Sequence, residues 1–583
     1  MLAGYASLAV AESVSALVRP EAGPVIAVGG AAIDRTPAPV KDWAIREFGT
    51  NDKLVLQLGI LTVLALLALA LGAVAVRHRR AGSAGVLLFG AIGALAATNR
   101  PDSTGVVDAL PSVAGAFAGA GLLYALVGRL RAVRPGSGAV DRAPEQRPVP
   151  GTVPDQQDQA APDHDQTALD RNRAALDHDR AAPDQDLDQQ REPDGERPHL
   201  NPHTGPVPSR QSEPESESEP DWDRRGFIVA AAAAAAASTG AGALGRELND
   251  SRGRGAVDSR NRITFPAPAS PAAPVPKGAA LRVPGVSPFM TPNKDFYRVD
   301  TALVVPKVDA GRWRLRIHGE GVTRPLTLTY DDLLRRELIE RDITLTCVSN
   351  EVGGPYVGNA RWIGVRLADL LGECGVRPPS DGGPADQLIA RSVEGMTIGS
   401  PVEDIMDGRD ALLALGMNGR PLPFDHGFPV RMVVPGLYGF VSACKWIEDL
   451  ELTTFDAYDP YWVKRGWARQ APIKTQARID TPKPFARPAA GPVMVAGVAW
   501  AQRRGVTRVE VRIDDGPWEE ADLAAEDTRD TWRQWSLPWR ATSGGHTLTV
   551  RATDGTGETQ TEKRAGTVPD GASGRHSVVV TVD

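Results

Sequence analysis

Cysteine is scarce in this chain of 583 residues, which contains 3 of them. Three cysteines cannot form a disulfide framework, and an odd number in an exported protein indicates a thiol that is kept for chemistry. An excess of positive charge is also lacking, because 72 acidic residues outnumber 65 basic ones and the formal net charge is -7. No basic stripe with interleaved aromatic residues is present, which argues against nucleic-acid binding.

Large apolar side chains are almost absent from residues 135–220, which are rich in Asp, Gln, Pro and Glu. Such a stretch cannot bury enough surface to offset its ordering entropy, so residues 135–223 are predicted to form a disordered linker. Its histidines are spaced too loosely for a metal site, and we interpret them as solvated: His164, His178, His199 and His203.

Long apolar runs are concentrated before this linker. Residues 54–76 form an uninterrupted apolar run, which exceeds the ~20 residues needed to cross a bilayer as a helix. Residues 84–98 and 105–128 are also apolar, and residues 2–33 are interpreted as one span that prolines kink or make partly re-entrant. Residues 1–134 are therefore predicted to be a transmembrane helical domain of about four spans.

A further apolar segment at residues 224–245 follows the linker. It begins Arg224-Arg225-Gly-Phe227 and continues as an Ala-rich run, which resembles a twin-arginine export signal placed in mid-chain. An ordinary anchor with two topogenic arginines is the alternative, and Ala241-Gly242-Ala243 is a candidate cleavage site. Because short basic loops stay cytoplasmic, the linker is predicted inside and everything after residue 245 outside.

The rest of the chain has the composition of folded domains. After a Pro/Ala-rich spacer at residues 246–280, residues 281–474 are predicted to be an α+β domain. Its expected elements are strands at 313–318 and 343–347 and a capped helix from Thr329 to Arg336. Cys347 ends a strand and leads into a polar, Gly-rich loop, so it is placed to present a thiolate to a cofactor. A buried core thiol is the alternative there, and Cys374 is interpreted as core.

Residues 475–583 alternate in short strands separated by Gly and Asp turns, which predicts an all-β sandwich. The expected strands are 506–513, 532–539, 546–552 and 577–582. The fold class is therefore multi-domain: an N-terminal α-helical membrane domain, an α+β domain and an all-β sandwich.

Four motifs after residue 289 stand in an order that matches one known family. They are Thr291-Pro-Asn293-Lys-Asp-Phe296-Tyr297, Leu345-Thr-Cys347-Val-Ser-Asn350, the block from Asn418 through His426 and Arg431 to Ser442-Ala-Cys-Lys445-Trp446, and the pair Val498-Ala-Trp500 and His546 to Asp554. Together they resemble the sulfite oxidase family of molybdopterin-dependent oxidoreductases, as a membrane-anchored bacterial member. The resemblance covers nearly 300 residues.

The resemblance implies a molybdenum-molybdopterin cofactor with Cys347 as the one protein ligand of the metal, a role that a soft thiolate suits. The implied cofactor contacts are Asn293, Phe296, Tyr297, Asn350, Thr397, His426, Arg431, Ser442, Ala443, Cys444 and Lys445. Arg431 and Lys445 are candidates for the cofactor phosphate. Many relatives have Ser-x-Lys-Trp where this chain has Ser-Ala-Cys-Lys-Trp, so whether Cys444 or Lys445 makes that contact stays open. Residues 475–583 would be an immunoglobulin-like dimerisation domain, which implies a homodimer.

The chain departs from conventional sulfite oxidases at two arginines that bind the anionic substrate. Glu351-Val-Gly353 and Thr291-Pro292 stand where those enzymes supply them, and a carboxylate repels a dianion. No haem domain is evident, so a separate redox partner such as a cytochrome or a quinone-linked protein is expected.

The function expected is oxygen-atom transfer on a small-molecule substrate by an enzyme of the cell membrane. The enzyme would be multi-pass, with its catalytic domain extracytoplasmic, and sulfite oxidase-like without being a conventional sulfite oxidase. Reduction of an S- or N-oxide such as methionine sulfoxide is one alternative. An inactive, membrane-tethered binding protein on the same scaffold is another.

Overall fold

The computed structural model describes residues 1–36, 52–100, 105–132 and 224–583, together with Val40, Glu47 and Ser103. The predicted linker at 135–223, with its four histidines, lies outside the described residues.

Apolar helices make up most of the described N-terminal region. They include α1 (Leu2–Val18), α2 (Pro24–Arg35), α3 (Asp52–Arg77), α4 (Arg79–Thr98) and α5 (Leu110–Ala132). By length and composition, three stretches here are able to cross a membrane: Val55–Arg77, Arg79–Thr98 and Val106–Leu130.

The stretch expected to be one kinked span consists of two separate helices. They are 17 and 12 residues long, and each is shorter than the ~20 residues of a full span. The chain breaks at Arg19, whose backbone is extended, because the residue before a proline is disfavoured in the helical region. Pro24 then begins α2.

Helix α6 (Arg224–Asn261) is 38 residues long, and its apolar part is also long enough to cross a membrane. Residues 246–261, predicted to begin an irregular spacer, are helical, since no proline occurs between Arg224 and Pro266. The helix packs on α1 through polar contacts. The Ser13 hydroxyl donates to the Ala241 carbonyl at 2.6 Å, and the Asn249 amide donates to the Glu12 carboxylate at 3.2 Å.

Two five-stranded sheets form the middle of the chain. Their strands are β1 (Arg314–Gly319), β2 (Leu326–Thr329), β3 (Leu338–Thr346), β4 (Val357–Arg366), β5 (Gln387–Ser392), β6 (Thr397–Pro401), β7 (Leu412–Met417), β8 (Arg420–Pro421), β9 (Arg431–Val433) and β10 (Ile447–Thr453). One sheet has the order β2-β1-β10-β5-β6, and the other has the order β3-β4-β7-β8 with β9 also paired to β7. Only β1 and β10 pair in parallel among the described strands.

Short helices connect these strands. They are α7 (Tyr330–Leu334), α8 (Leu367–Glu373), α9 (Val402–Met406) and α10 (Gly439–Ser442). The capped helix predicted after Thr329 is confirmed as α7, where Thr329 and Asp332 form a reciprocal capping box with N–H to oxygen distances of 3.0 and 2.8 Å. The predicted strand at 343–347 is longer, because Leu338 already pairs with Val365 of β4.

The C-terminal region is β-rich, as expected. Its strands are β11 (Gln476–Thr481), β12 (Gly491–Trp500), β13 (Val506–Ile513), β14 (Trp518–Glu520), β15 (Asp522–Leu523), β16 (Arg533–Ala541), β17 (Gly544–Asp554) and β18 (His576–Val582). They form two four-stranded sheets, β11-β12-β16-β15 and β14-β13-β17-β18, whose inner faces share one hydrophobic core.

Tryptophans join this region to the one before it. Trp500 and Trp532 belong by sequence to the C-terminal strands, yet both are buried in the hydrophobic core of the middle region. Burying a tryptophan removes about 150–250 Å² from water, worth roughly 4–6 kcal/mol at 25 cal/mol per Å². The two regions therefore meet through an apolar interface, which bears directly on the loop that carries Cys347.

Candidate active site

Cys347 follows the last residue of β3 and is 8% exposed. Its backbone N–H donates to the Tyr356 carbonyl at 2.9 Å, and its own carbonyl accepts the N–H of Asn350 at 3.0 Å, so the loop closes tightly behind it. Burial raises the pKa of the thiol, against the opposing effects of Ser349 and of the Lys445 charge. A buried thiol of this kind stays protonated unless a metal takes the place of the proton.

Aromatic rings line one side of this loop. Phe296 stacks on Tyr297 with ring centroids 5.1 Å apart. The Phe296 ring also makes edge contacts with Trp362 at 5.8 Å and with His426 at 5.6 Å. Burial raises the pKa of the Tyr297 phenol, with Cys347 as the next contributor, so the phenol stays protonated beside the thiol.

Hydrogen bonds fix His426 and Asn293 against each other. The Nε2 of His426 lies 3.0 Å from the Asn293 carbonyl, so this nitrogen carries the proton and Nδ1 does not. Burial lowers the pKa of His426 to about 4, which keeps the ring neutral at ordinary pH. The Asn293 side chain accepts a 2.7 Å hydrogen bond from Asn418 and donates to the Met417 carbonyl at 3.2 Å.

Arg431 is a buried cation that no carboxylate of the described residues balances. It begins β9, is 5% exposed and donates from Nη1 to the His426 carbonyl at 3.2 Å. Its guanidinium lies 5.0 Å from the centre of the Trp362 ring. No carboxylate among the described residues forms an ion pair with it, and its Nε has no hydrogen-bond partner there. Burial lowers the pKa of Arg431 to about 10.

Asn350 provides a second unpaired donor. Its side-chain oxygen accepts the N–H of Tyr356 at 2.8 Å, and the residue is 2% exposed. Its Nδ2 lacks a partner within the described part of the chain. A buried donor left without an acceptor costs ~1–3 kcal/mol, so Asn350 and Arg431 both favour a ligand that brings acceptor atoms.

The structure separates the roles of Cys444 and Lys445, which the sequence left open. The Cys444 sulfur lies 3.8 Å from the Ala390 carbonyl within the core, and burial raises the pKa of this thiol. The Lys445 ammonium donates to the Asp300 carboxylate at 2.7 Å and to the Asp425 carbonyl at 3.1 Å. Its charge acts on both Cys347 and His426. Of these two residues, Lys445 therefore carries the charge that acts on Cys347 and His426, whereas Cys444 lies in the core.

Three further residues named from the resemblance use their polar groups locally. The Ser442 hydroxyl lies 2.9 Å from the Leu437 carbonyl and 3.0 Å from that of Tyr438. The Thr397 hydroxyl accepts the N–H of Tyr461 at 3.1 Å, and the Ala443 N–H donates to the Gly439 carbonyl at 3.0 Å. These bonds stabilise the backbone around the site.

Some members of this cluster were not anticipated from the sequence. Asp300 holds Lys445, Trp362 lies beneath Arg431, and Tyr356 closes the loop. Asn418, at φ +51 before Gly419, orients Asn293. Of these residues, only the Asn418-Gly419 pair could have been recognised in the sequence, since that dipeptide favours tight turns. An isolated acid such as Asp300 or a strand tryptophan such as Trp362 has no comparable sequence pattern.

A second group of possible metal ligands lies elsewhere, on β1 and β10. The ligand atoms of His318, Asp449 and Glu451 all lie within 4.8 Å of one another. Arg316 pairs with Asp449 at 2.9 Å, and Arg391 lies 3.9 Å from Glu451. These arginines already balance both carboxylates, so the group is explained as a surface ion-pair network.

Comparisons with known proteins agree with this geometry. Residues 302–462 match the family model described as the oxidoreductase molybdopterin binding domain. The chain is 31% identical over 290 residues to mitochondrial sulfite oxidase from Rattus norvegicus, which covers 43% of this chain and 53% of that protein. It is 30% identical over 336 residues to a nitrate reductase (NAD(P)H) from Hordeum vulgare, which covers 47% and 37% of the two chains.

Among solved structures, the sulfane dehydrogenase SoxCD from Paracoccus pantotrophus has a TM-score of 0.44 and 24% identity, covering 50% of this chain and 83% of that one. The chain spans about half the length of the sulfite oxidases it matches, 53% for the rat protein. The cluster around Cys347 thus lies in a molybdopterin-binding oxidoreductase domain. Residues 302–462 belong to the family of oxidoreductase molybdopterin binding domains, and the chain is similar to sulfite oxidases over about 290 residues.

The residues present fit the cofactor that this family implies. Molybdopterin carries a phosphate and a hydrogen-bonding ring system, and the site offers an unbalanced guanidinium at Arg431 and an unpaired amide donor at Asn350. Guanidinium groups suit phosphate through charge-assisted hydrogen bonds. A buried thiol at Cys347 suits a metal that replaces its proton.

Proposed function

We propose that this protein catalyses oxygen-atom transfer at a molybdenum centre whose one protein ligand is Cys347. The observation that carries the proposal is the coincidence of a buried thiol with two buried donors that lack acceptors among the described residues. Molybdenum-molybdopterin, when bound, supplies the oxygen transfer and the accompanying electron exchange. The chain supplies the thiolate, the anchors and the surrounding packing.

Each side chain has a distinct task in this proposal. Cys347 loses its thiol proton on metal binding, and the Lys445 charge favours the thiolate that remains. Arg431 balances the cofactor phosphate with its guanidinium. Neutral His426 and Asn293, bonded to each other at 3.0 Å, present a rigid edge to the pterin ring, while Phe296 and Tyr297 exclude water.

The substrate in this proposal is a small molecule that needs no cluster of arginines. Glu351, which follows the Cys347 loop, is exposed and repels dianions. The nearby guanidinium of Arg478 is already paired with Asp480 at 2.7 Å. Two directions follow from the chemistry: oxidation of a small sulfur compound, or reduction of an S- or N-oxide such as methionine sulfoxide. Electrons would pass through a separate cytochrome or quinone-linked partner.

The competing function is a membrane-tethered binding protein without a working metal. A scaffold of that kind has no use for the unpaired groups of Arg431 and Asn350, because apolar residues of similar volume would pack there at lower cost. Metal content decides between the two.

The test compares the molybdenum content of the full-length protein with that of Cys347→Ser, using inductively coupled plasma mass spectrometry. Cys374→Ser is the matched control, because Cys374 is also buried but lies directly after α8. We expect about one molybdenum per chain in the wild type and the control. Cys347→Ser should lose activity and the thiolate-to-metal absorption. Wild-type protein from a cofactor-competent host that contains neither molybdenum nor pterin would refute the enzyme proposal.

We further propose that the protein is a multi-pass protein of the cell membrane with its catalytic domain outside. The apolar helices and the basic residues after them support this orientation. The hydrogen bond between Ser13 and the Ala241 carbonyl supports retention of α6 as a permanent tether, uncleaved at Ala241-Gly242-Ala243. A C-terminal tag should stay with the membrane at full-chain mass after alkaline extraction; a shorter, soluble fragment would contradict retention.

The C-terminal region is proposed to be an immunoglobulin-like module that makes homodimers. Its two sheets around a single core support the comparison. Light scattering on the detergent-solubilised protein should give a mass of two chains, and a monomer at micromolar concentration would contradict the dimer.

A further inference from the structure

The strand that ends at Cys347 is held by the C-terminal region. Thr344, three residues before the cysteine, donates its N–H to the Asp530 carbonyl at 2.8 Å. Its hydroxyl accepts the N–H of Trp532 at 2.7 Å. The Gln502 amide donates to the Thr344 carbonyl at 3.1 Å and to the Thr346 hydroxyl at 3.3 Å. The edge of β3 therefore pairs with loops that belong to the other domain.

The loop that follows Cys347 is held by the same region. The Gly354 carbonyl accepts a 2.8 Å hydrogen bond from the Nη1 of Arg478, on β11. Arg478 is 8% exposed. Its own position is fixed by Asp480 at 2.7 Å and by the Ser287 hydroxyl at 2.9 Å. A charged donor whose position is fixed thus forms a hydrogen bond to the loop, seven residues after the cysteine.

His576, at the start of β18, touches the same loop. Its Nδ1 accepts the N–H of Ile479 at 3.0 Å, so the proton lies on Nε2. Gly353 has φ +81, and a Cβ at this position would overlap the His576 ring. Glycine is therefore required twice at position 353, by the backbone conformation and by the approach of the ring.

These contacts differ from ordinary packing between two domains. They fall on both sides of one residue, and they include hydrogen bonds to the backbone of Thr344 and of Gly354. The apolar interface through Trp500 and Trp532 would hold the domains together without them. Backbone hydrogen bonds on each side of Cys347 instead restrict where its sulfur points.

We propose that residues 475–583 set the direction of the Cys347 thiol, with Arg478 and His576 as positioning residues for the metal-binding loop. The C-terminal region is then part of the catalytic centre of its own chain, in addition to any role in dimerisation. The proposal rests on the proposed role of Cys347 as metal ligand, but its test does not require bound metal.

The experiment measures alkylation of Cys347 by iodoacetamide in the full-length protein, made in a host that lacks molybdopterin synthesis. Mass spectrometry of the Cys347 peptide gives the rate at fixed pH. We expect Arg478→Met and His576→Ala to raise the rate about tenfold, because a freed loop opens more often. Arg487→Met is the matched control: this arginine of the same region pairs with Asp583 at the exposed surface and should leave the rate unchanged.

A glycine substitution provides a check that does not depend on removing a side chain. Gly353→Ala should raise the rate through the overlap with His576, and combining it with His576→Ala should recover part of that rise, as expected for residues in contact. Rates within twofold of wild type for Arg478→Met, His576→Ala and Gly353→Ala would overturn the proposal.

The holoenzyme supplies a second measurement, which would not change if Arg478 and His576 only stabilised the fold. Arg478→Met should retain molybdenum but shift the g-values of the reduced centre, since these depend on the orientation of the thiolate. Unchanged g-values would also contradict the proposal. A wild-type protein without molybdenum would refute the metal-binding role and leave the alkylation result standing.

Discussion

Replacing Arg431 by methionine tests whether its guanidinium stabilises the fold or serves to bind the cofactor. The guanidinium is 5% exposed, bonds only the His426 carbonyl at 3.2 Å and stacks 5.0 Å from Trp362. In the cofactor-free protein its charge is buried without a counter-ion among the described residues. Methionine fills similar volume, keeps the contact with the ring and removes the charge. We therefore expect the cofactor-free variant to be more stable than the cofactor-free wild type.

The structure sets the size of this effect. Burial lowers the pKa of Arg431 from 12.5 to about 10, and each tenfold change in ionisation is worth about 1.4 kcal/mol, which gives about 3 kcal/mol against the charged form. Loss of the cation–π contact and of the hydrogen bond destabilises the variant by about 1–2 kcal/mol, which offsets part of this gain. A net gain of about 1–2 kcal/mol remains, or a rise in Tm of roughly 2–8 °C for a domain of this size.

The assay is thermal unfolding of full-length protein in detergent, prepared from hosts with and without molybdopterin synthesis. Arg409→Met is the control, because Arg409 is also buried, at 8% exposed, but pairs with Asp404 at 2.6 Å and Asp407 at 2.7 Å. Removing the guanidinium breaks charge-assisted hydrogen bonds to partly exposed carboxylates, so this variant should lose about 1–3 kcal/mol. From the competent host, Arg431→Met should have lost most of its pterin.

Two results would refute the reasoning. If cofactor-free Arg431→Met were less stable than the cofactor-free wild type by more than about 1 kcal/mol, the guanidinium would serve the fold itself. If the variant kept a full complement of pterin, the phosphate would be bound elsewhere.

Other predictions concern pH and the second cation of the site. Burial lowers the folded-state pKa of His426 and of His576 from 6.5 to about 4. Each neutral ring therefore contributes stability above pH 6.5 that is lost as the pH falls toward 4, by up to about 3 kcal/mol. Urea unfolding of the cofactor-free protein should show this loss, and His426→Gln should reduce it; a flat profile in the wild type would contradict the prediction. Lys445→Met should lower molybdopterin content at least tenfold, whereas Cys444→Ala should change it less than twofold, as measured by pterin fluorescence after oxidation. If Cys444→Ala lowered molybdopterin content by more than twofold, the Cys444 thiol would be the contact on the phosphate side.

Local chemistry made parts of the fold predictable. The Thr329 capping box follows from a hydroxyl and a carboxylate three residues apart, and the C-terminal strands follow from alternation of apolar residues between turns. The break before Pro24 could also be predicted, because proline restricts the conformation of the residue before it. Helix α6 exceeded its expected end, since helical propensity continues where hydrophobicity stops.

The site was predictable only where a motif carried it. The resemblance identified Cys347, His426 and Arg431, and the structure brings their elements together. The resemblance did not separate Cys444 from Lys445, because one extra residue in a loop shifts an alignment and leaves both side chains as candidates. Contacts between distant segments had no sequence signal. Asp300 and Lys445 are 145 residues apart and form a 2.7 Å bond, and neither residue predicts the other.

Buried arginines elsewhere in this chain show what the fold does when no ligand is needed. Arg409 pairs with Asp404 and Asp407, and Arg478 pairs with Asp480, at distances of 2.6–2.7 Å. Arg431 alone among these three has no carboxylate in the described part of the chain. Asn350 has an unpaired donor there, and Arg431 and Cys347 both act on the pKa of Tyr297. The unbalanced charge of Arg431 and the unpaired donor of Asn350 each cost about 1–3 kcal/mol in the cofactor-free state. In a binding scaffold without metal, apolar substitutions would remove these costs. The presence of both unpaired groups therefore favours the enzyme over the inactive tether.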